Sequence, residues 1–260
     1  AVAGMVLTGV LAERLRAGAG RIAAFVVASS PLFSQFLGYG YLELPVLAYL
    51  AAATLALARF QDAGALRWAA LSCAFAGLAV SVKTSAFPAA VIAPAALWLM
   101  VHRRGARGLP AAVGAGVLFA ATAGFWSLWN LASTGALFYR YPGSGLDPLA
   151  SAAAPLPIGR GIVECLKTAV TVGEYYNESA GPFVWAGLAG FLVFLSRRDR
   201  LLPTALLGLA AGGYLAGLAV LSPARLWEPS SGRYLAPFLI ALGAPPAAAF
   251  AARVLERKGL

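Results

Sequence analysis

Runs of roughly 16–22 apolar residues, separated by short Arg-bearing breaks, organise this chain, and about 20 residues of helix cross a bilayer core. Core helices of water-soluble domains are shorter and keep a polar stripe. These runs are apolar on every face, so hydrocarbon is the solvent that suits them. Charged residues make up 12% of the chain and hydrophobic ones 60%, whereas a soluble domain carries about a quarter charged. The expected fold is all-α: a polytopic transmembrane helical bundle forming a single domain over residues 1–260.

Hydropathy and breaks predict helices at about 1–12, 22–37, 44–59, 67–82, 86–102, 109–130, 182–196, 201–221 and 234–252. That is eight full spans and a truncated first one. The chain starts at Ala1, and 1–12 reads as half a span. The expectation is a fragment whose N-terminal part is missing.

Alternating these segments sorts the charges onto two sides. One side holds Arg14, Arg16, Arg21, Arg59, Arg67, Arg103, Arg104, Arg107, Arg197, Arg198, Arg200, Arg253, Arg257 and Lys258, which is 14 of the 20 basic residues, with four acids (Glu13, Asp62, Asp199, Glu256). The other holds Lys83, Arg140, Arg160, Lys167, Arg225 and Arg233, with six acids. Loop Lys and Arg orient spans toward the cytoplasm, so the first side is expected to be cytoplasmic. The setting this implies is the inner (plasma) membrane of a bacterium, a source suggested by richness in Ala, Gly and Arg. The net charge of +10 does not point to nucleic acid, because the basic residues sit in ones to threes at helix ends. Breaks such as HRRGARG at 102–108 and SRRDR at 196–200 read as topogenic anchors and contacts to membrane lipids. His102, beside Arg103, reads as an interface residue. Cys73 in an apolar run and Cys165 in a polar loop are not expected to pair.

The outer side carries one long loop, about 131–181, long enough to expect a function for it. Ile158, Ile162, Val163, Leu166, Ala169 and Val170 recur there at helical spacing, with Arg160, Glu164 and Lys167 between them. The pattern suits a helix in the membrane interface or one packed on the bundle. Asn177-Glu178-Ser179 matches a glycosylation sequon without meaning in a bacterial protein.

Walker loops, Gly-x-Ser-x-Gly elbows, HExxH and CxxC are missing from the sequence, so Ser or Cys nucleophiles have no support. What remains is a set of polar residues at outer helix ends, where an ionisable group is costly and therefore a functional candidate. Glu43, after Tyr41-Leu42, can hold a divalent cation or a sugar hydroxyl, or serve as a charge that the macrodipole favours. Lys83 can snorkel to headgroups or bind a phosphate. Arg233, with Arg225 nearby, suits bidentate phosphate contacts. Several cations and one carboxylate facing one compartment fit an anchored isoprenoid phosphate. Its departure leaves negative charge that fixed cations stabilise. A base for the incoming hydroxyl has no convincing candidate in the chain.

Ser30-Pro31, Tyr41-Leu42-Glu43, Arg59, Trp68 and Gly77-Leu78-Ala79-Val80-Ser81-Val82-Lys83-Thr84 resemble integral-membrane glycosyltransferases of the C-type fold. The look is that of bacterial relatives of protein O-mannosyltransferases and aminoarabinose transferases. Phe125-Trp126-Ser127-Leu128-Trp129-Asn130 with Thr134-Gly135-Ala136-Leu137-Phe138-Tyr139, then Arg140, resembles that family's approach to its outer loop. Gly232-Arg233-Tyr234-Leu235-Ala236-Pro237 is similar to its late "RYLLP" helix start. The resemblance covers about residues 20–240 as ordered, individually weak motifs.

It implies transfer of a sugar from a polyprenyl-phosphate donor to an acceptor at the outer membrane face. Lys83, Arg233 and Arg225 would contact donor phosphate, Glu43 and Tyr41 the sugar or a divalent metal, and Asn130, Tyr139 and Arg140 the lead into the loop. Departures are Trp129-Asn130 for the family's "RN" and Gly135-Ala136-Leu137 for its "GNP". The family's catalytic acid lies in a first outer loop upstream of Ala1, so this fragment would be inactive alone. Two other classes fit the composition: a transporter or flippase, for which Gly212-Gly213 and Pro245-Pro246 are candidate helix breaks, and a noncatalytic membrane subunit.

Overall fold

A computed structural model of the chain describes residues 2–30, 33, 42–82, 84–135 and 232–257. Among these, every regular element is helical: α1 (Val2–Leu15), α2 (Ala19–Ala28), α3 (Glu43–Ala63), α4 (Leu66–Val82), a 3₁₀ segment (Thr84–Val91), α5 (Ile92–Arg104), a 3₁₀ turn (Gly105–Gly108), α6 (Leu109–Thr134) and α7 (Gly232–Arg257). The all-α expectation holds for the described residues. Expected helices 182–196 and 201–221, and the loop beyond Gly135, lie outside them.

Among the described residues, three stretches are long and apolar enough to cross a membrane: Glu43–Ala63, Ala89–Ser133 and Ala236–Arg257. That is fewer than the expected eight, two of which lie outside those residues. The second contains two legs, α5 and α6, joined by the turn at Gly105–Gly108. α2, at 10 residues, rises only about 15 Å, half the hydrocarbon thickness. Its predicted extent to residue 37 is cut short at Ala28. There Ser29 and Ser30 turn their hydroxyls back onto the carbonyls of Val26 and Val27, at 3.1 and 2.7 Å, and Pro31 disfavours helix in the residue before it. The expected helix 86–102 is also altered, because its first turns are 3₁₀ around Pro88, which has no N–H to give an α-helical ladder. At the other extreme α6 runs past residue 130 to Thr134. Gly135 ends it in the left-handed conformation (φ 72°), its N–H bonded to Leu131 O at 3.0 Å.

Side-chain contacts fix the directions of the helices. Gly4 lies against Leu47 and Ala48, and Arg14 reaches Ala58 O at 3.2 Å, so α1 and α3 run parallel. Ser72 Oγ donates to Ala53 O at 2.8 Å across the α3–α4 hairpin. Arg103 donates to Phe60 O and Gln61 O (3.0 and 2.7 Å), which brings the end of α5 beside the end of α3. Arg16 pairs with Glu256, and Arg14 with Asp62. The helices therefore alternate, and α1, α3, α5 and α7 all finish at one basic end.

α3 is the hub, with 72% of its spanning window buried, against 11% for Ala89–Ser133. Leu44, Leu47, Leu50, Leu57 and Phe60 fill the core between α1, α7 and α4. α4 packs against both α3 and α6 through small residues, Ala69, Cys73, Ala76, Gly77 and Ala79. Small side chains let helix backbones approach where lipid removes the hydrophobic drive for association. The second side of α6 exposes Leu109, Val113, Val117, Phe125, Leu128 and Trp129, a face that hydrocarbon suits.

Two predictions follow from this packing. A Cβ on Gly77 would stand 2.7 Å from Phe119 O and 3.0 Å from Ala123 N and would strike Thr122 Oγ1. Gly77→Ala should therefore cost about 1–3 kcal/mol by overpacking. Gly114→Ala, with nothing within 4 Å of its Cβ, should be neutral or slightly stabilising. Thermal unfolding in detergent compares the two, and equal midpoints would refute the close α4–α6 approach. The second concerns Glu13, whose carboxylate accepts the N–H groups of Gly18 and Gly20 (2.9 and 2.8 Å) and tightens the α1–α2 turn. Those bonds, Gly18 first, hold its carboxyl below the ordinary value of 4.5. A lowered folded-state pKa gives stability that is full above the ordinary value and lost as pH falls through the folded one. The Tm difference between wild type and Glu13→Ala should thus shrink on acidification below 4.5; a pH-independent difference would count against the bonds.

Candidate functional site

The end opposite the arginines is set by four helix starts and three helix finishes. α1 begins with Val2, α3 with Glu43, α7 with Gly232 and Arg233, and the 3₁₀ segment at Thr84; α2 finishes at Ala28, α4 at Val82 and α6 at Thr134. From Glu43 to Asp62 is 19 residues of helix, about 28 Å, so the two ends of α3 stand a hydrocarbon thickness apart.

Glu43 is buried, with 1% of its surface exposed. It occupies the first turn of α3, where the positive end of the macrodipole favours a carboxylate. That local fit is one reason the residue is tolerated there. Ser30, exposed by 1%, sits at the same end. Its hydroxyl donates to Val27 O and accepts the N–H of Phe33 at 3.3 Å, closing the turn after α2.

Of the other expected site residues, Arg233 is at the second position of α7, on the helix end shared with Glu43. α7 packs on α1, α2 and α3, so Arg233 and Glu43 belong to neighbouring helices. Asn130 is half-buried in the last turns of α6. α6 packs on α4 and α5 instead, which sets Asn130 on the far flank of the hub from α7. Lys83, Arg225, Tyr41, Tyr139 and Arg140 lie outside the described residues. The end thus unites Glu43 with the α7 start and leaves Asn130 to one side.

α1, α3 and α7 start at the Glu43 end while α2, α4 and α6 finish there, so the helix dipoles largely offset one another and only the first turn of α3 acts on Glu43 directly. As for metals, the described residues hold no group of three or more His, Cys, Asp or Glu side chains. A cation at Glu43 would therefore draw its further ligands from hydroxyls, carbonyls or the substrate.

Sequence reasoning missed the partners of the charged ends. Asp62 and Glu256 stand out in the sequence only as acids on a basic side, and the structure pairs them with Arg14 and Arg16. The signal was present in their rarity there. His102 stacks on Trp98, ring centroids 4.9 Å apart and 11° from parallel, at the level where an interfacial aromatic belongs. Cys73 is a buried free thiol. Comparison with family models, with curated proteins and with solved structures finds no match for this chain.

Proposed function

We propose that this chain is the membrane bundle of a glycosyltransferase that takes a sugar from a polyprenyl-phosphate donor and places it on an acceptor at the outer face of a bacterial inner membrane. The observation that carries the reading is Glu43, a carboxylic acid enclosed at the non-basic end of the hub helix. Ionisable groups at that depth are expensive and are kept for function. Support comes also from the α7 start, with Arg233, at the same end, and from the ordered motifs of the sequence.

On this reading the eight spans, the outer loop 131–181 and the cytoplasmic placement of the arginines complete the topology. The bond between the sugar's anomeric carbon and the phosphate oxygen breaks, and the lipid phosphate leaves with the electron pair. Lys83, Arg233 and Arg225 stabilise that charge, while Glu43 and Tyr41 hold sugar hydroxyls or a divalent metal. The acceptor hydroxyl replaces the phosphate and yields its proton to a base outside this set.

A second reading has its own observation. α7 contains Pro237, Pro245 and Pro246 within the helix. Its packing changes at the Pro pair, from the main core (Ala241, Ala244) to a separate alanine cluster (Ala248, Ala249, Ala252 with Ala12, Ala19 and Ala23). The expected break at Pro245-Pro246 is not seen, since the helix runs unbroken through it, but prolines inside a spanning helix suit a flippase for the same lipid-linked substrate.

The full-length protein, incubated in vesicles with radiolabelled polyprenyl-phosphate sugar and extracted membrane acceptors, separates the two. Transfer releases polyprenyl phosphate; flipping moves intact donor across the bilayer. Arg233→Ala and Lys83→Ala should each lower transfer about 10–100-fold, the value of one charge-assisted contact, and Glu43→Gln should do likewise. Undiminished transfer in all three would remove the proposed site, and donor movement without cleavage would establish the flippase.

A further inference from the structure

Two sets of arginines stand out at the basic end. One set is engaged within the fold. Arg14 pairs with Asp62 and Arg16 with Glu256, while Arg103 and Arg104 donate to the carbonyls of Phe60, Gln61 and Gly64 that close α3. Arg103 also lies over the Phe60 ring at 5.5 Å. These contacts clamp the α3–α4 turn against the α5–α6 turn. The second set, Arg59, Arg67 and Arg107, projects from the same two turns and is exposed. Among the described residues none of the three has a hydrogen bond or ion pair, and Arg67 rests over Trp68 at 5.7 Å.

Register brings the second set together. Ser72 bonding to Ala53 aligns α3 with α4, so Arg59 and Arg67 both fall within about two turns of the hairpin tip at Gly64. Gly77 lies level with Phe119 and Ala123. About ten residues back along each helix, Arg67 is level with the start of α6, directly after Arg107. Five arginines therefore crowd two turns whose one acid, Asp62, is already taken by Arg14. Beside them stand exposed Trp98, Val101, Leu71, Leu109 and Val113. Unspent cations above an apolar, aromatic-edged surface are the chemistry of an anionic lipid site.

We infer that Arg59, Arg67 and Arg107 bind the headgroups of anionic phospholipid, with acyl chains lying along Leu71, Leu109 and Val113. The inference rests on the chain being integral to a bilayer and not on its being a transferase.

The test uses the full-length protein in phosphatidylcholine bilayers with spin-labelled phosphatidylglycerol or spin-labelled phosphatidylcholine as probe. Electron spin resonance then gives the relative association of the two lipids. The expected result is a several-fold preference for phosphatidylglycerol that declines with added salt, since one arginine near an anionic surface is worth roughly fivefold. The triple variant R59Q/R67Q/R107Q should bring the preference close to one, and R59K/R67K/R107K should retain most of it. Equal association of both probes with the native protein, a preference indifferent to salt, or one that survives the glutamine variant would each overturn the assignment. The salt series on the native protein decides the matter should the triple glutamine variant fail to fold.

Discussion

Arg103 and Arg104 reach from the end of α5 to the last carbonyls of α3, and the bundle depends on that arrangement. A helix in an apolar setting satisfies every backbone group except those at its ends. The hub helix buries most of its length, so its orphan carbonyls need donors that come from elsewhere in the fold. Guanidinium groups supply them, with several N–H donors in a fixed fork and a charge matched to the negative end of the macrodipole. Arg14 does the same one turn deeper, at Ala58. Charge at this end thus closes helices that lipid could not.

Between the ends, packing takes over from charge. Buried hydroxyls of Thr8 and Thr54 bond back to carbonyls four residues earlier, which hides them within their own helices. Ser72 instead crosses to α3. The crossing of α4 with α6 needs Gly77 because Phe119 and Thr122 stand where a side chain would go. α6 is held by this one seam and by α5, and its outward residues stay open. Two layers result: a closely packed group around α3, and a peripheral helix that meets the surroundings.

Much of this was legible in the sequence because hydropathy reports what each residue does alone. Glu43 and Gly64 mark α3, and the 44–59 expectation needed only a few residues added at its end. Ser30-Pro31 was visible but stood as a motif, while its physical effect was to stop α2. The 3₁₀ turns before α5 were hidden, since Ala86, Ala89 and Val91 are as apolar as any helical run. Pairwise facts were hidden more deeply. Nothing in the order of residues says that Gly77 meets Thr122, or that Asp62 belongs to Arg14 and Glu256 to Arg16. The site was legible as a lone acid beside a hydrophobic span; that Glu43 is buried depended on how the neighbouring helices pack around α3.

The two ends of α3 then stand in opposite electrostatic states for one reason. Helix direction alternates, so the dipoles of α3 and its antiparallel neighbour α4 offset over their length, and each terminus of α3 acts only on groups within its own first or last turn. Arginines quench the negative terminus and leave an excess of cations beyond what the carbonyls and acids use. At the positive terminus Glu43 occupies the first turn of α3, where that terminus acts on it directly. An anion arriving there gains from the same field that makes a buried carboxylate tolerable. The spare cations at one end and the buried acid at the other therefore both follow from the direction of one helix, α3.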